Sequence, residues 1–271
     1  AVSVTASLVQ NNELAVSNVV GSNIFNLMFV IGVCSILTPI MVQKATVVRD
    51  IPLSLGCALF LLVLGISGLG DKTGMTLGHA DGVIFLIVFA GYIFTMVRSA
   101  MKARAAGQKI EIEGVEECDN MKELSYGKSI LFLIVGAAAI AFGGDLTVDT
   151  ASRIAIELGM SQTLVGLTIV SIGTSLPELV TSVVAARKNE VDMAVGNAVG
   201  SNIFNILMVL GISSAISPVA LIWENIIDIV LLMVFSVMVW IFAGTRKKIE
   251  RKEGIIMVVV YLVYCAYIIA R

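Results

Sequence analysis

The sequence predicts an all-α fold: a polytopic transmembrane helical bundle with inverted-topology repeats. Three observations carry that expectation. Of its 271 residues 58% are hydrophobic and only 14% charged, with a mean hydropathy of +0.97; a soluble domain carries roughly 25% charged residues. Apolar stretches recur at the length of about 20 residues that a helix needs to cross a hydrocarbon core, and the alternating segments of about 10 residues that build an outer-membrane barrel are absent. Finally, residues 15–32 (AVSNVVGSNIFNLMFVIG) and 194–211 (AVGNAVGSNIFNILMVLG) agree at twelve of eighteen positions without a gap.

Taken in chain order, residues 1–9 read as the tail of an earlier span, and eight full crossings follow. The first, at 13–38, holds the first repeat copy. The second, 47–69, opens on Arg49 and Asp50, an interfacial ion pair. The third, 80–98, follows His79, a solvated loop histidine, and carries Asp81-Gly82 and Tyr92. The fourth, 127–148, closes on Asp145 and Asp149, read as interfacial. The fifth, 162–186, holds one acidic residue, Glu178, and the sixth, 192–217, holds the second repeat copy. The seventh lies at 222–243. The eighth, 254–270, follows Glu253-Gly254 and carries Tyr264, an echo of the third. The division is a first, N-terminally incomplete repeat at 1–98, a cytoplasmic linker at 99–126 and a second, inverted repeat at 127–271. The acidic run Glu111–Glu123 lacks EF-hand spacing and reads as solvated linker.

Charge placement sets an orientation. Lys44/Arg49, Arg98/Lys102/Arg104, Arg187/Lys188 and Arg246 through Lys252 fall on one side if every span crosses once. Lys and Arg favour the cytoplasmic side, which turns Arg271 outward and runs the two repeat copies in opposite senses. Inverted repeats are the architecture of many secondary transporters, with substrate held near the midplane. The net charge of −2 offers no basic nucleic-acid face, and the four cysteines have no zinc or redox spacing. Cys34, Cys57 and Cys265 sit in apolar runs as packing residues. No HExxH, GxSxG or paired His/Cys constellation marks an enzyme, and no cofactor is expected.

The chemistry concentrates in 161–188. A carboxylate such as Glu178 inside an apolar crossing costs about 2.5–3.5 kcal/mol on insertion scales, which marks a pathway or site. Pro177 lacks the N–H that would bond the carbonyl of Gly173, so that turn has oxygens to offer. Ser171, Thr174, Ser175 and Glu178 follow i, i+3, i+4, i+7 and share a face. Oxygen-only ligands of this kind suit hard cations such as Ca²⁺ or Na⁺. Asn197, Ser201 and Asn205 form a second polar face beside Gly200, and the other copy repeats it as Asn18, Ser22 and Asn26 beside Gly21. Polar residues of this kind also serve as packing glue between membrane helices. Asn23 and Asn202 lie slightly off these faces.

GTSLPELVTS at 173–182 followed by AVGNAVGSNIFN at 194–205 resembles the α-repeat of the cation/calcium exchanger superfamily, in its prokaryotic sodium/calcium exchanger branch. The resemblance implies ten crossings in two inverted five-helix halves, alternating access by sliding of one helix group, and a central site on the second, third, seventh and eighth helices. By motif position it makes Ser171, Thr174, Ser175, Glu178 and the Gly173 carbonyl ligands on the seventh helix, Ser201 and Asn205 on the eighth, and Ser22 and Asn26 on the third. It implies Ca²⁺/Na⁺ antiport in a prokaryotic inner membrane, with the bilayer and inorganic cations as partners. A proton- or potassium-dependent exchanger is the alternative, a cation channel a remoter one. Two departures stand out. Asn205 takes a position where some members carry Asp. The counterpart of Glu178 falls two residues before Ala1, so further N-terminal helices are expected on the same or an associated chain.

Overall fold

A hydrocarbon interior pairs no backbone N–H or C=O, so apolar spans must satisfy those groups internally as helices. The computed structural model describes residues 12–67, 75–105, 125–188 and 191–271; the expected remnant at 1–9 and the acidic run Glu111–Glu123 lie outside them. The first span is helix α1 (Asn12–Ile24), a π-helical stretch (Phe25–Val30) and α2 (Ile31–Leu37). Strand β1 (Ile40–Met41) leads through a π turn (Thr46–Asp50) into α3 (Ile51–Ser67). Strand β2 (Thr76–Leu77) precedes α4 (His79–Ala105), and α5 spans Tyr126–Glu157. A broken span comes next: α6 (Gln162–Val165), a π turn (Gly166–Val170), α7 (Ser171–Thr174) and α8 (Leu176–Arg187). Then come α9 (Val191–Phe204), a π stretch (Asn205–Leu210), α10 (Gly211–Ile216), β3 (Val219–Ala220), α11 (Trp223–Arg246), β4 (Lys248–Ile249) and α12 (Arg251–Ala270).

Six helices among the described residues are long and apolar enough to cross a membrane, and the bent pair Thr163–Thr174 with Leu176–Arg187 makes a seventh. The remaining expected crossing, 127–148, falls inside the 32-residue α5. His79 starts α4 with its ring nitrogen 2.9 Å from the Ala215 carbonyl. Arg49 and Asp50 pair at 2.7 Å, and Trp240 donates to the Val47 carbonyl beside them at 2.8 Å.

The packing comes in matched pairs between the two sequence copies. Helix α12 lies on α2 while α4 lies on α10. At the first contact a Cβ on Gly254 would meet Ser35 and the Gly32 carbonyl; at the second a Cβ on Gly82 would meet Ser214 and the Gly211 carbonyl. The ring contacts match too: Phe25 meets Tyr261 edge-on at 5.6 Å, and Phe89 meets Phe204 edge-on at 5.7 Å. So do the ribbons, Ile40 opposite Ile249 and Leu77 opposite Val219. The helix starts are also capped alike, Asp81 accepting the Gly78 N–H at 2.8 Å and Glu253 the Glu250 N–H at 2.7 Å. Each copy's last helix therefore packs on the other copy. Lipid is as apolar as leucine, so close backbone approach at small residues replaces the hydrophobic drive between such helices. Leu59, Val63, Ile87, Phe94, Ile241 and Val263 accordingly face outward.

Among the described residues two carboxylates outside the central polar region are fully buried, the capping Asp81 of α4 and Asp228 of α11. Asp228 on α11 is fully enclosed and pairs with Arg271 at 2.6 Å, with Tyr264 donating to its other oxygen at 3.4 Å. Cys34 and Cys57 are buried free thiols, as packing residues should be.

Gly254→Ala and Gly82→Ala each push a methyl against a backbone carbonyl, and overpacking of this kind costs about 1–3 kcal/mol. Gly91 has open space around its Cα, where alanine gains roughly 0.5–1 kcal/mol in helix stability. Thermal unfolding in detergent should therefore show lower midpoints for the first two variants and an unchanged or higher one for Gly91→Ala.

Candidate functional site

The site begins where the fifth span breaks. Thr174 ends α7, Ser175 sits at φ −99°, ψ 4°, and Pro177 occupies the first turn of α8. Because proline supplies no N–H, the i→i−4 ladder cannot run through this point. The missing bond is the one to the Gly173 carbonyl, while the Ser175 N–H is shared between the Ser171 and Ile172 carbonyls at 3.2 and 3.1 Å, tightening the last turn of α7. The helix bends by 43°, and the break delivers Thr174, Ser175 and Glu178 to a cavity of roughly 190 Å³. Asn18, Val19 and Ser22 of α1 form a second wall, and Ser201, Phe204, Asn205 and Val209 form the third. A polar cavity is thus enclosed by the three helices that carry the conspicuous motifs.

Hydroxyls and amides connect the walls. Ser22 Oγ and Thr174 Oγ1 lie 3.0 Å apart, Thr174 donates to Asn18 Oδ1 at 3.1 Å, and Ser22 reaches the Ser171 carbonyl at 3.3 Å. Ser201 lines the cavity together with the Glu178 carboxylate. The carboxylate oxygen Glu178 Oε2 is buried with no partner. Among the described residues no three His, Cys, Asp or Glu side chains gather as a metal cluster. The cavity therefore offers one carboxylate supplemented by neutral oxygens, a donor set for a hard cation and a poor one for zinc or copper.

Six of the nine candidate ligands line this cavity: Ser22, Thr174, Ser175, Glu178, Ser201 and Asn205. The other three are not among its lining residues. Ser171 is fully buried, its hydroxyl within reach of the Gly166 and Asn18 carbonyls. Gly173 abuts Val148 of α5, where a Cβ would not fit. Asn26 is fully buried and donates to Asn202 Oδ1 at 3.2 Å, its own Oδ1 unpartnered.

Spacing alone under-read two features. Asn18 lines the cavity, whereas its counterpart Asn197 donates to Thr181 and Ser182 at 3.1 and 3.2 Å and fastens α9 to α8. The i, i+4 relation of Asn18 to Ser22 was the available signal. Asn23 and Asn202, off the polar faces, meet at the crossing of α1 and α9. Asn23 donates to the Asn202 carbonyl at 3.2 Å and Asn202 to the Asn23 carbonyl at 3.1 Å.

Known proteins share this outline. The family model described as sodium/calcium exchanger protein matches residues 1–98 and 128–270. The putative antiporter CaxA of Alkalimonas amylolytica is 33% identical over 97% of this chain and 81% of its own length. The sodium/calcium exchanger MaX1 of Methanosarcina acetivorans is 28% identical over 97% of this chain and 82% of its own. Among solved structures, the sodium-calcium exchanger NCX_Mj soaked with Na⁺ and Sr²⁺ superposes with a TM-score of 0.74 at 30% identity, covering 98% of this chain and 80% of that one.

A ligand that binds only the folded state stabilises it, by about 2.7 kcal/mol at a hundredfold excess over Kd. Ca²⁺ should raise the unfolding midpoint of the unaltered protein in detergent, and Glu178→Gln should abolish that rise while leaving the ion-free midpoint equal or higher. The second half rests on removing an incompletely paired carboxylate.

Proposed function

The chain belongs to the sodium/calcium exchanger protein family, and from that premise we propose that it exchanges Ca²⁺ for Na⁺ across a membrane by alternating access, the ions binding in turn in the cavity at the helix break. It is an integral, multi-pass sodium/calcium antiporter; the ligand assignment and the cycle are our reading. The observation that carries this reading is Glu178, its Oε2 buried and unpaired in a cavity whose other polar walls are the oxygens of Ser22, Thr174, Ser175, Ser201, Asn18 and Asn205.

The chemistry is set by charge and ligand type. Ca²⁺ takes six to eight oxygen ligands at 2.3–2.6 Å in flexible geometry, and the clustered hydroxyls and amides can exchange their mutual hydrogen bonds for an ion. Na⁺ uses the same hard oxygens, so the two ions compete for one carboxylate and cannot fill the site together. Mutually exclusive occupancy couples the two fluxes. Each ion shifts the carrier between inward- and outward-open forms only by its differential affinity for the two. No cofactor enters this scheme; the ions are cargo.

We place the basic clusters on the cytoplasmic side. The β1–β4 ribbon, with Val42 N–H bonded to the Lys247 carbonyl at 2.9 Å, gathers Lys44, Lys247, Lys248 and Arg251 at one end of the bundle. The preference of Lys and Arg for the cytoplasmic face supports that choice and turns Arg271 outward. The bacterial and archaeal relatives support a prokaryotic inner membrane.

The test is radioactive calcium uptake into tight proteoliposomes loaded with Na⁺ and diluted into Na⁺-free medium, repeated across a pH series and with K⁺. Saturable, Na⁺-dependent uptake is expected, and replacing the charged ligand Glu178 by Gln should cut it by at least about a hundredfold (~2.7 kcal/mol), within the cost of an unpaired charged group. Uptake driven by protons alone, uptake requiring K⁺, or single-channel currents would each overturn the assignment.

A further inference from the structure

Asn26 and Asn205 are repeat counterparts, and each carries an amide that can show a cation either its oxygen or its NH₂. Only the oxygen helps. A free amide of this kind turns over with little resistance, so something must hold it the right way round. At the α1–α9 crossing two hydrogen-bond chains run between the copies, and each begins on a backbone carbonyl. Asn202 O accepts from Asn23 Nδ2 at 3.2 Å, and Asn23 Oδ1 accepts from Asn205 Nδ2 at 3.1 Å. Asn23 O accepts from Asn202 Nδ2 at 3.1 Å, and Asn202 Oδ1 accepts from Asn26 Nδ2 at 3.2 Å. Asn23, Asn26 and Asn202 are fully buried.

A backbone carbonyl can only accept, and an amide NH₂ can only donate. The carbonyl at the head of each chain therefore fixes the polarity of every amide after it. Turning Asn205 over would set its oxygen against Asn23 Oδ1, and Asn23 cannot turn in response without setting its own oxygen against the Asn202 carbonyl. Each chain ends on an amide whose NH₂ is committed. At Asn205 the free end belongs to a residue that lines the cavity; at Asn26 it is a buried oxygen that no described residue pairs.

We propose that Asn23 is a positioning residue for cation binding, which anchors on the Asn202 backbone and thereby obliges Asn205 to present oxygen to the ion, while Asn202, anchored on the Asn23 backbone, fixes Asn26 in the same way outside the cavity lining. Neither touches the ion. Partners that orient a metal's ligands are worth about 10- to 100-fold in affinity. The assignment rests on the exchanger reading above, because it presumes that the cavity takes a cation.

The test is a double-mutant cycle read by isothermal titration of Ca²⁺ into the purified protein. Asn23→Leu should weaken Ca²⁺ binding about 10- to 100-fold. Asn205→Ala has no amide to orient, so in that background Asn23→Leu should change affinity by no more than about twofold, within the error of additivity. Equal losses in both backgrounds would reveal a merely structural role and overturn the proposal, as would unchanged affinity in Asn23→Leu. If Asn23→Leu does not yield monodisperse protein, Asn23→Ala in the same two backgrounds decides by the same criteria. Unaltered protein that binds no Ca²⁺ overturns the exchanger reading itself, whereas binding with an additive cycle overturns the positioning role alone.

Discussion

Inside a bilayer no solvent is available to pair a polar atom that the protein leaves free, and each unpaired group there costs several kcal/mol. This constraint governs the molecule at every scale. It makes the apolar spans helical, allows a helix to break only where other protein or a cavity receives the freed groups, and forces polar side chains to find one another across helices. Beside the break at Ser175 and Pro177 the Ser171 carbonyl accepts from Ser22 Oγ of α1 and from Thr174 Oγ1 of its own helix. The asparagines at the α1–α9 crossing meet that demand reciprocally, each pairing the other's backbone. Polar groups that would be a liability singly are tolerated because they come in closed sets.

The same constraint explains why the two sequence copies are interlaced rather than set side by side. Helix α12 seats Gly254 on Gly32 and Ser35, while α4 seats Gly82 on Gly211 and Ser214. Close backbone approach supplies the dispersion contact that a hydrophobic effect supplies in water. Because each copy's last helix rests on the other copy, the walls of the cavity are held from both sides. Ser22 and Thr174 can then stand 3.0 Å apart although 152 positions separate them. Glu178 sits in this frame with one oxygen left to a ligand. Asn205 adds an amide without a charge, so Glu178 is the sole full negative charge on the cavity wall among the described residues.

Much was legible in the residues themselves. Helix content, the apolar spans, Glu178 as an intramembrane carboxylate, and the hydroxyl face at Thr174 and Ser175 all arise from properties of a single segment: its length, its hydropathy, or its i, i+3, i+4 spacing. The small residues Gly32, Gly82, Gly211 and Gly254 could be seen, yet their partners could not, since closeness between helices is invisible to one helix's pattern. The repeat itself misled at one pair. Asn18 and Asn197 match in sequence, but one lines the cavity while the other fastens α9 to α8.

Sequence by itself determined that this chain is a membrane helix bundle with a duplicated polar motif and a carboxylate at a proline break, because those are consequences of local composition and covalent geometry. Tertiary structure alone decided which of the motif's oxygens face one another. Ser171 and Asn26 share the spacing of their neighbours and yet are not among the residues that line the cavity, while Asn23 and Asn202, off the expected face, join the two copies. The π-helical stretches at Phe25–Val30 and Asn205–Leu210 add to this, because they rotate the helical register of the residues beyond Asn26 and Asn205. Helical periodicity fixes the angle at which a side chain leaves its own axis. Whether that angle points to lipid, to a neighbouring backbone or into a cavity depends on where the other helices lie.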